Sequence, residues 1–213
     1  MKTIEKESAR SKTKTATLIK SFVVILILFL SIAGCSDNTT VPASVSESSY
    51  NRVNLVADAT VFAPTRIDAN LNNEWGIAIG PTGYFWIASN HQGLSTIYDR
   101  NGAQISAPVS IPFNGVSNGG APTGAVYNGT TSFLAKSFIF ATENGTIMGW
   151  ASANGTIAVP MADRSANGAV YKGLAIATDA GANFIYAADF HNGKIDVFDQ
   201  SMTYVTTKPF IDT

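Results

Sequence analysis

The chain has 213 residues, 46% of them apolar and 14% charged, a balance that suits a folded, β-rich body and excludes a disordered, charge-dominated one. Its net charge is −1, but Lys2, Lys6, Arg10, Lys12, Lys14 and Lys20 fall in the first 34 positions against only Glu5 and Glu7, so the remainder carries eight basic and thirteen acidic residues. A nucleic-acid partner would want the opposite sign with its basic residues clustered, and is set aside.

In chain order, the basic stretch leads into an apolar run from Phe22 to Leu30 and then Ser31-Ile32-Ala33-Gly34-Cys35. A basic region, a short apolar core and small residues before a cut site make residues 1–34 a secretory signal. The run FVVILILFLSIAG, 13 residues, falls short of the roughly 20 that a spanning helix needs. Its ending, Ile32-Ala33-Gly34-Cys35, resembles the lipobox of bacterial lipoproteins. That resemblance implies cleavage before Cys35, lipid attachment to that cysteine, and a place in the bacterial cell envelope, anchored to the membrane and facing the periplasm or the exterior. Cys35 is the only cysteine, so no disulfide can form within the chain. Several acyl chains, at about 0.8 kcal/mol per buried CH₂, attach a protein lastingly where one chain is marginal. Residues 35–50, rich in Ser and Thr, read as a flexible tether, and residues 51–213 as the folded domain.

Within that domain the chain repeats itself. The stretch from Gly76 to Asp99 matches the one from Gly173 to Asp199, with Trp86, His91, Gly93 and Asp99 meeting Tyr186, His191, Gly193 and Asp199 at an offset of 100. A middle copy runs from Gly124 to Trp150. Opening glycines at 76, 124 and 173 and turn glycines at 93, 145 and 193 set a period of 48 to 52 residues. Each copy has an apolar run, a Gly or Pro break, a second apolar run, a tight turn, a third run ending in an aromatic, and a weaker fourth. In the first copy these are predicted at Gly76–Ile79, Tyr84–Ser89, Ser95–Asp99 and Gln104–Ile111. Asn144-Gly145, Asn154-Gly155 and Asn192-Gly193 supply hairpin turns that require positive φ. Four short strands per repeat, with no helical periodicity, predict an all-β chain: a partial β-propeller of about three four-stranded blades, plus a lead-in strand at Arg52–Ala57. Trp86, Tyr98, Phe140, Trp150, Tyr186 and Phe198 are expected to wedge between blades.

The blocks Asn72-Asn73-Glu74-Trp75-Gly76, Thr142-Glu143-Asn144-Gly145-Thr146, Val170-Tyr171-Lys172-Gly173 and Ala188-Asp189-Phe190-His191-Asn192-Gly193 resemble the signatures of an uncharacterised family of exported bacterial propellers. More distantly they are similar to NHL-repeat propellers and the gluconolactonase group. Members of that family are longer and continue past the position of Phe210-Ile211-Asp212. The resemblance therefore implies a truncated member, or two chains that pair, with raw sheet edges at Arg52–Ala57 and Thr203–Phe210.

Of the motifs of chemistry, no H-E-x-x-H, P-loop or G-x-G-x-x-G occurs. Asn38, Asn128, Asn144 and Asn154 open N-x-[ST] triplets, three of which are Asn-Gly-Thr turns. One constellation remains. His91, Glu143 and His191 share the turn between the second and third strands of successive blades, on the face that also collects Glu74, Lys172 and Asp189. Imidazole and carboxylate can ligate a divalent metal such as calcium or exchange protons. No residue is assigned a catalytic role and no cofactor is required. The leading expectation is a lipid-anchored module binding a protein, glycan or small molecule on that face. The alternative implied by the gluconolactonase resemblance is a metal-assisted lactone or ester hydrolase with Glu74, Glu143 and Asp189 as oxygen ligands. Asp99, Asp196 and Asp199 are expected to form turns or lock blades.

Overall fold

The computed structural model describes residues 51–208, 210 and 211. The signal over 1–34, the tether over 35–50, Cys35 and Asn38 lie outside the described residues. Among these, no helix is long and apolar enough to cross a membrane.

Three antiparallel sheets of four strands follow one another, each a simple up-and-down meander. The first blade comprises β3 (Glu74–Ile79), β4 (Phe85–Ser89), β5 (Leu94–Tyr98) and β6 (Val109–Ser110). The second comprises β7 (Pro122–Tyr127), β8 (Phe138–Thr142), β9 (Thr146–Trp150) and β10 (Val159–Asp163), and the third β11 (Tyr171–Asp179), β12 (Ala182–Asp189), β13 (Lys194–Phe198) and β14 (Phe210–Ile211). The described residues form three blades of a β-propeller. The fourth strands at either end are short. In the first blade Pro108, which has no N–H to give a ladder, precedes a strand reduced to two residues from the predicted eight.

The lead-in differs from the expectation of a strand over Arg52–Ala57. Only β1 (Val56–Ala57) is extended and paired, and it pairs in parallel with β2 (Arg66–Ile67), outside the blades. Its anchor is Asp68, just after β2, whose buried carboxylate accepts a 2.8 Å hydrogen bond from the Tyr98 hydroxyl.

Repeat glycines explain how the blades approach. A side chain at Gly76 would sit 2.7 Å from the Ala125 backbone nitrogen of the next blade, and one at Gly124 would sit 2.5 Å from that of Leu174. Both inner strands lie too close for a Cβ, which is why the repeat opens on glycine. Each inner strand also carries a register irregularity in its first residues, at Glu74/Ile77, Pro122/Ala125 and Tyr171/Gly173. Such bulges bend a strand and re-aim its side chains.

Two apolar cores fill the two junctions. Between the first and second blades, Trp86 stacks on Phe138 with centroids 3.8 Å apart and planes at 17°, and meets Trp150 at 4.6 Å. Ile97, Phe140 and Met148 complete that core. Between the second and third, Ile139, Ile147, Tyr171, Ile185 and Phe198 are sealed from solvent. Trp86, Phe140, Trp150 and Phe198 thus occupy junctions as expected. Tyr98 and Tyr186 do not. Tyr98 turns toward the lead-in, and Tyr186 lies on the open face of the third blade with Phe184 and Phe210, 6.4 and 5.9 Å away between ring centres. The two-residue side-chain period of a strand puts each where it is.

Candidate functional site

In every blade the turn between the second and third strands is tied back to the segment entering the first strand. Asn90 N–H donates to the Asn73 carbonyl (3.1 Å), Glu143 N–H to Ala121 (2.9 Å) and Phe190 N–H to Val170 (2.9 Å). This recurring bond gathers the sequence-selected residues on one face, at one end of the inner strands.

At the centre of that face, three successive blades contribute one residue each. Lys172, second in β11, pairs with Glu143 from the β8–β9 turn, and its ammonium lies 4.7 Å from the centre of the Trp75 ring, from β3. The pair is half-buried, and Trp75 keeps 48% of its surface exposed. A relay holds the indole: Trp75 Nε1–H donates to Asn73 Oδ1 (3.2 Å), the Asn73 amide to Asn90 Oδ1 (3.1 Å), and the Asn90 amide to the Pro122 carbonyl in the second blade (3.3 Å). Asn73 has φ 57°, a left-handed conformation that asparagine tolerates better than most residues. The platform therefore stands on both sides of the first junction.

Of the other sequence-selected residues, His91 is exposed and its Nδ1 lies 3.0 Å from Asn72 Oδ1 of the same blade. His191 is likewise exposed at the β12–β13 turn. Glu74 begins β3 on the lead-in side. Desolvation there pushes its carboxyl above the ordinary value, against its backbone hydrogen bond, and nearby Asp58 adds to the rise. Asp189 is buried, and its oxygens accept from Val170 N–H (3.1 Å), Asn192 N–H (3.3 Å) and the Asn192 amide (2.7 Å). It ties its turn to the preceding segment and presents no free oxygen to a ligand, a position that sequence spacing could not reveal. Among the described residues, no three His, Cys, Asp or Glu side chains gather to hold a metal ion, so Glu74, Glu143 and Asp189 do not form a shared oxygen cage. Trp75, read in sequence only as part of a signature block, is the addition. Its position next to the opening glycine, where the inner strand bulges, was the available signal.

The flanking aspartates behave as expected. Asp99 Oδ1 caps Asn101 and Ala103 N–H at 2.8 Å, and Asp199 Oδ1 caps Ser201 (2.9 Å) and Thr203 (2.8 Å) in the same turn 100 positions later. Asp196, fully buried, joins the second and third blades. It accepts from the Tyr171 hydroxyl (2.8 Å), pairs with Lys194 (2.8 Å) and lies 3.6 Å from Arg164, whose guanidinium stacks on Tyr204 at 4.0 Å.

The chain matches no known family model. It is 30% identical over 172 residues to one uncharacterized protein of Acanthamoeba polyphaga mimivirus and 31% identical over 174 residues to another. These alignments cover 76% and 74% of this chain but 42% and 43% of the relatives, so the chain spans less than half the length of the curated relatives it matches. Among solved structures it is similar to a streptogramin B lyase (14% identity, 67% of this chain and 42% of that one, TM-score 0.49) and to the virginiamycin B lyase of Staphylococcus aureus (11%, 66% and 41%, 0.47). Neither likeness bears on activity.

Proposed function

We propose that this chain is the blade-bearing part of a binding protein, held at a bacterial cell envelope by lipid on Cys35, which takes its ligand on the Trp75–Lys172–Glu143 platform without chemistry. The observation that carries the reading is the convergence of one residue from each of three blades. A half-exposed indole offers a flat apolar face, and the adjoining ion pair offers a donor and an acceptor. A glycan presents a matching surface, with C–H groups on one side of the ring and hydroxyls at its rim. The leader and the lone Cys35 support the anchor, and the acidic balance beyond residue 34 supports a ligand that is not nucleic acid.

A glycan array probed with the full chain, followed by titration of any hit against Trp75→Ala and Glu143→Gln variants, tests the ligand. Loss of affinity of about tenfold or more in Trp75→Ala, with an unchanged melt, is the expected result. Equal binding by Trp75→Ala would refute the platform. For the anchor, radiolabelled palmitate should enter the wild-type chain expressed in bacteria and not the Cys35→Ala variant; a label that persists in the variant removes the lipid from the proposal.

A further inference from the structure

Eight asparagines of this chain are followed by glycine. Such a pair is prone to lose its side-chain amide, because glycine, lacking a Cβ, leaves its own nitrogen unshielded for attack on the neighbouring Cγ. Attack needs two things at once: a glycine N–H not spent in a hydrogen bond, and an asparagine side chain that is not held. The fold sorts the eight pairs on both counts.

In five pairs the glycine N–H is spent. It donates to the Asp99 carbonyl after Asn101 (3.1 Å), to Val116 after Asn118 (3.1 Å), to Thr142 after Asn144 (3.1 Å), to Ser152 after Asn154 (3.2 Å) and to Ser165 after Asn167 (2.9 Å). In two more the asparagine is pinned. The Asn128 amide donates to the Ser132 and Lys136 carbonyls at 2.8 and 2.9 Å, while its Oδ1 accepts from the Thr130 N–H (3.0 Å) and hydroxyl (2.7 Å). The Asn192 amide donates to Asp189 Oδ2 at 2.7 Å and to the Asn167 carbonyl at 3.3 Å.

Asn114-Gly115 is the pair that remains. The two residues are the centre of a turn closed by Phe113 and Val116, N–H to carbonyl in both directions at 3.0 and 2.9 Å, with φ 48° and 77°. Both are exposed, and a side chain at Gly115 would meet nothing within 4 Å. Among the described residues, neither the Gly115 N–H nor the Asn114 side chain has a hydrogen-bond partner. Two hydrogen bonds on an exposed loop are all that must break for the nitrogen to reach Cγ, and such openings are the cheapest a folded chain makes.

We propose that Asn114 is a modification site, at which the folded chain deamidates spontaneously through a cyclic imide with Gly115. The Gly115 nitrogen gives its proton to hydroxide and bonds to Asn114 Cγ; the Cγ–Nδ2 bond breaks, and the nitrogen leaves as ammonia with a proton from water. Water then opens the five-membered imide. Opening at Cγ gives aspartate, and opening at the main-chain carbonyl gives isoaspartate, whose backbone runs on through the side-chain carbon. In sum, an amide and water become a carboxylate and ammonium, with no change of oxidation state. The new charge arises in a loop that packs on the β4–β5 turn: Ile111 N–H donates to the Gly93 carbonyl (2.8 Å), and the Asn118 carbonyl leaves Gly93 no room for a side chain. That turn carries Asn90, which ties the Trp75 relay to the second blade.

The test is a time course of the full chain in mild detergent, folded and in urea, read by peptide mass mapping with electron-transfer fragmentation, which separates aspartate from isoaspartate. In mildly alkaline buffer the folded chain should convert Asn114 about tenfold or more faster than any other asparagine, and faster again as hydroxide rises, whereas in urea the eight pairs should converge. Asn114→Gln, which would have to close a larger ring, should lose the signal and keep the wild-type melt. Three outcomes overturn the proposal: earlier conversion at another Asn-Gly pair in the folded chain; an intact Asn114 over the time in which the unfolded chain converts; and the same ranking in urea as in the fold, which would assign the reactivity to local sequence. None of these readouts involves a ligand, so they stand apart from the glycan reading.

Discussion

The second blade and the two that flank it are built from one repeat, yet they stand in different physical situations. Both faces of the second blade are covered: Phe138 and Phe140 point into one core, Ile139 and Ala141 into the other, and all are sealed. Each flanking blade buries one face only. Trp86 and its repeat mate Tyr186 make the point. The first is 6% exposed in a stack of three aromatic rings, while the second stands half-buried on an open sheet with Phe184 and Phe210. Sequence equivalence therefore does not carry energetic equivalence. The value of a repeat position depends on whether a neighbouring blade follows it.

Substitutions at matched positions can break this contrast or sharpen it. The largest effect is expected at Gly124. Valine there would drive its side chain into the Leu174 backbone, and we expect a loss of about 3 kcal/mol or more or no folded protein, whereas Gly173→Val, with open space, should stay within about 1 kcal/mol. Thermal melts of dilute protein check both, and equal damage at the two sites would end the distinction between covered and open blades. Trp86→Ala should cost about 3–5 kcal/mol, against about 1–2 for Tyr186→Ala, in chemical denaturation.

Asp196→Asn comes next, at about 2–4 kcal/mol. It leaves Arg164 and Lys194 without their buried counter-charge, and the matching residue of the first blade, Thr96, has no such partners. A double-mutant cycle with Lys194→Met should recover part of the loss. The smallest effect concerns pH. Because burial raises the Glu74 carboxyl above its ordinary value of 4.5, its protonated form is favoured in the fold. Its contribution is present in full below pH 4.5 and is lost as pH rises through the higher folded value. Glu74→Gln should flatten that slope slightly in a stability–pH series, and a steeper slope in the variant would contradict it.

The three blades are legible in the sequence, because glycines at a fixed interval mark where backbones must touch and Asn-Gly pairs mark where strands must turn. The candidate site was readable only in part. Glu143 and Lys172 could be placed on one face by counting turns, but that count assigned Asp189 to the same face, where burial has already consumed its oxygens. Trp75 gave no sign of meeting Lys172, since the two are almost a hundred positions apart and the contact passes over the end of an intervening blade. Tyr186 shows the same limit from the other side: its type and spacing announced a wedge, and the described chain holds no blade for it to wedge against.

By itself the sequence determined the class of fold, the number of blades, their turns and the glycines at their junctions. These follow from steric rules that act over a few residues and repeat with the chain. Only the tertiary structure decided which faces are covered, that Asp196 is a buried cross-blade anchor while Asp99 caps a turn, and that an indole, an ammonium and a carboxylate meet at the ends of the inner strands. Those outcomes depend on the bulges and on the angle at which one sheet packs against the next, and that angle is set by the summed contacts of whole faces and not by any local pattern.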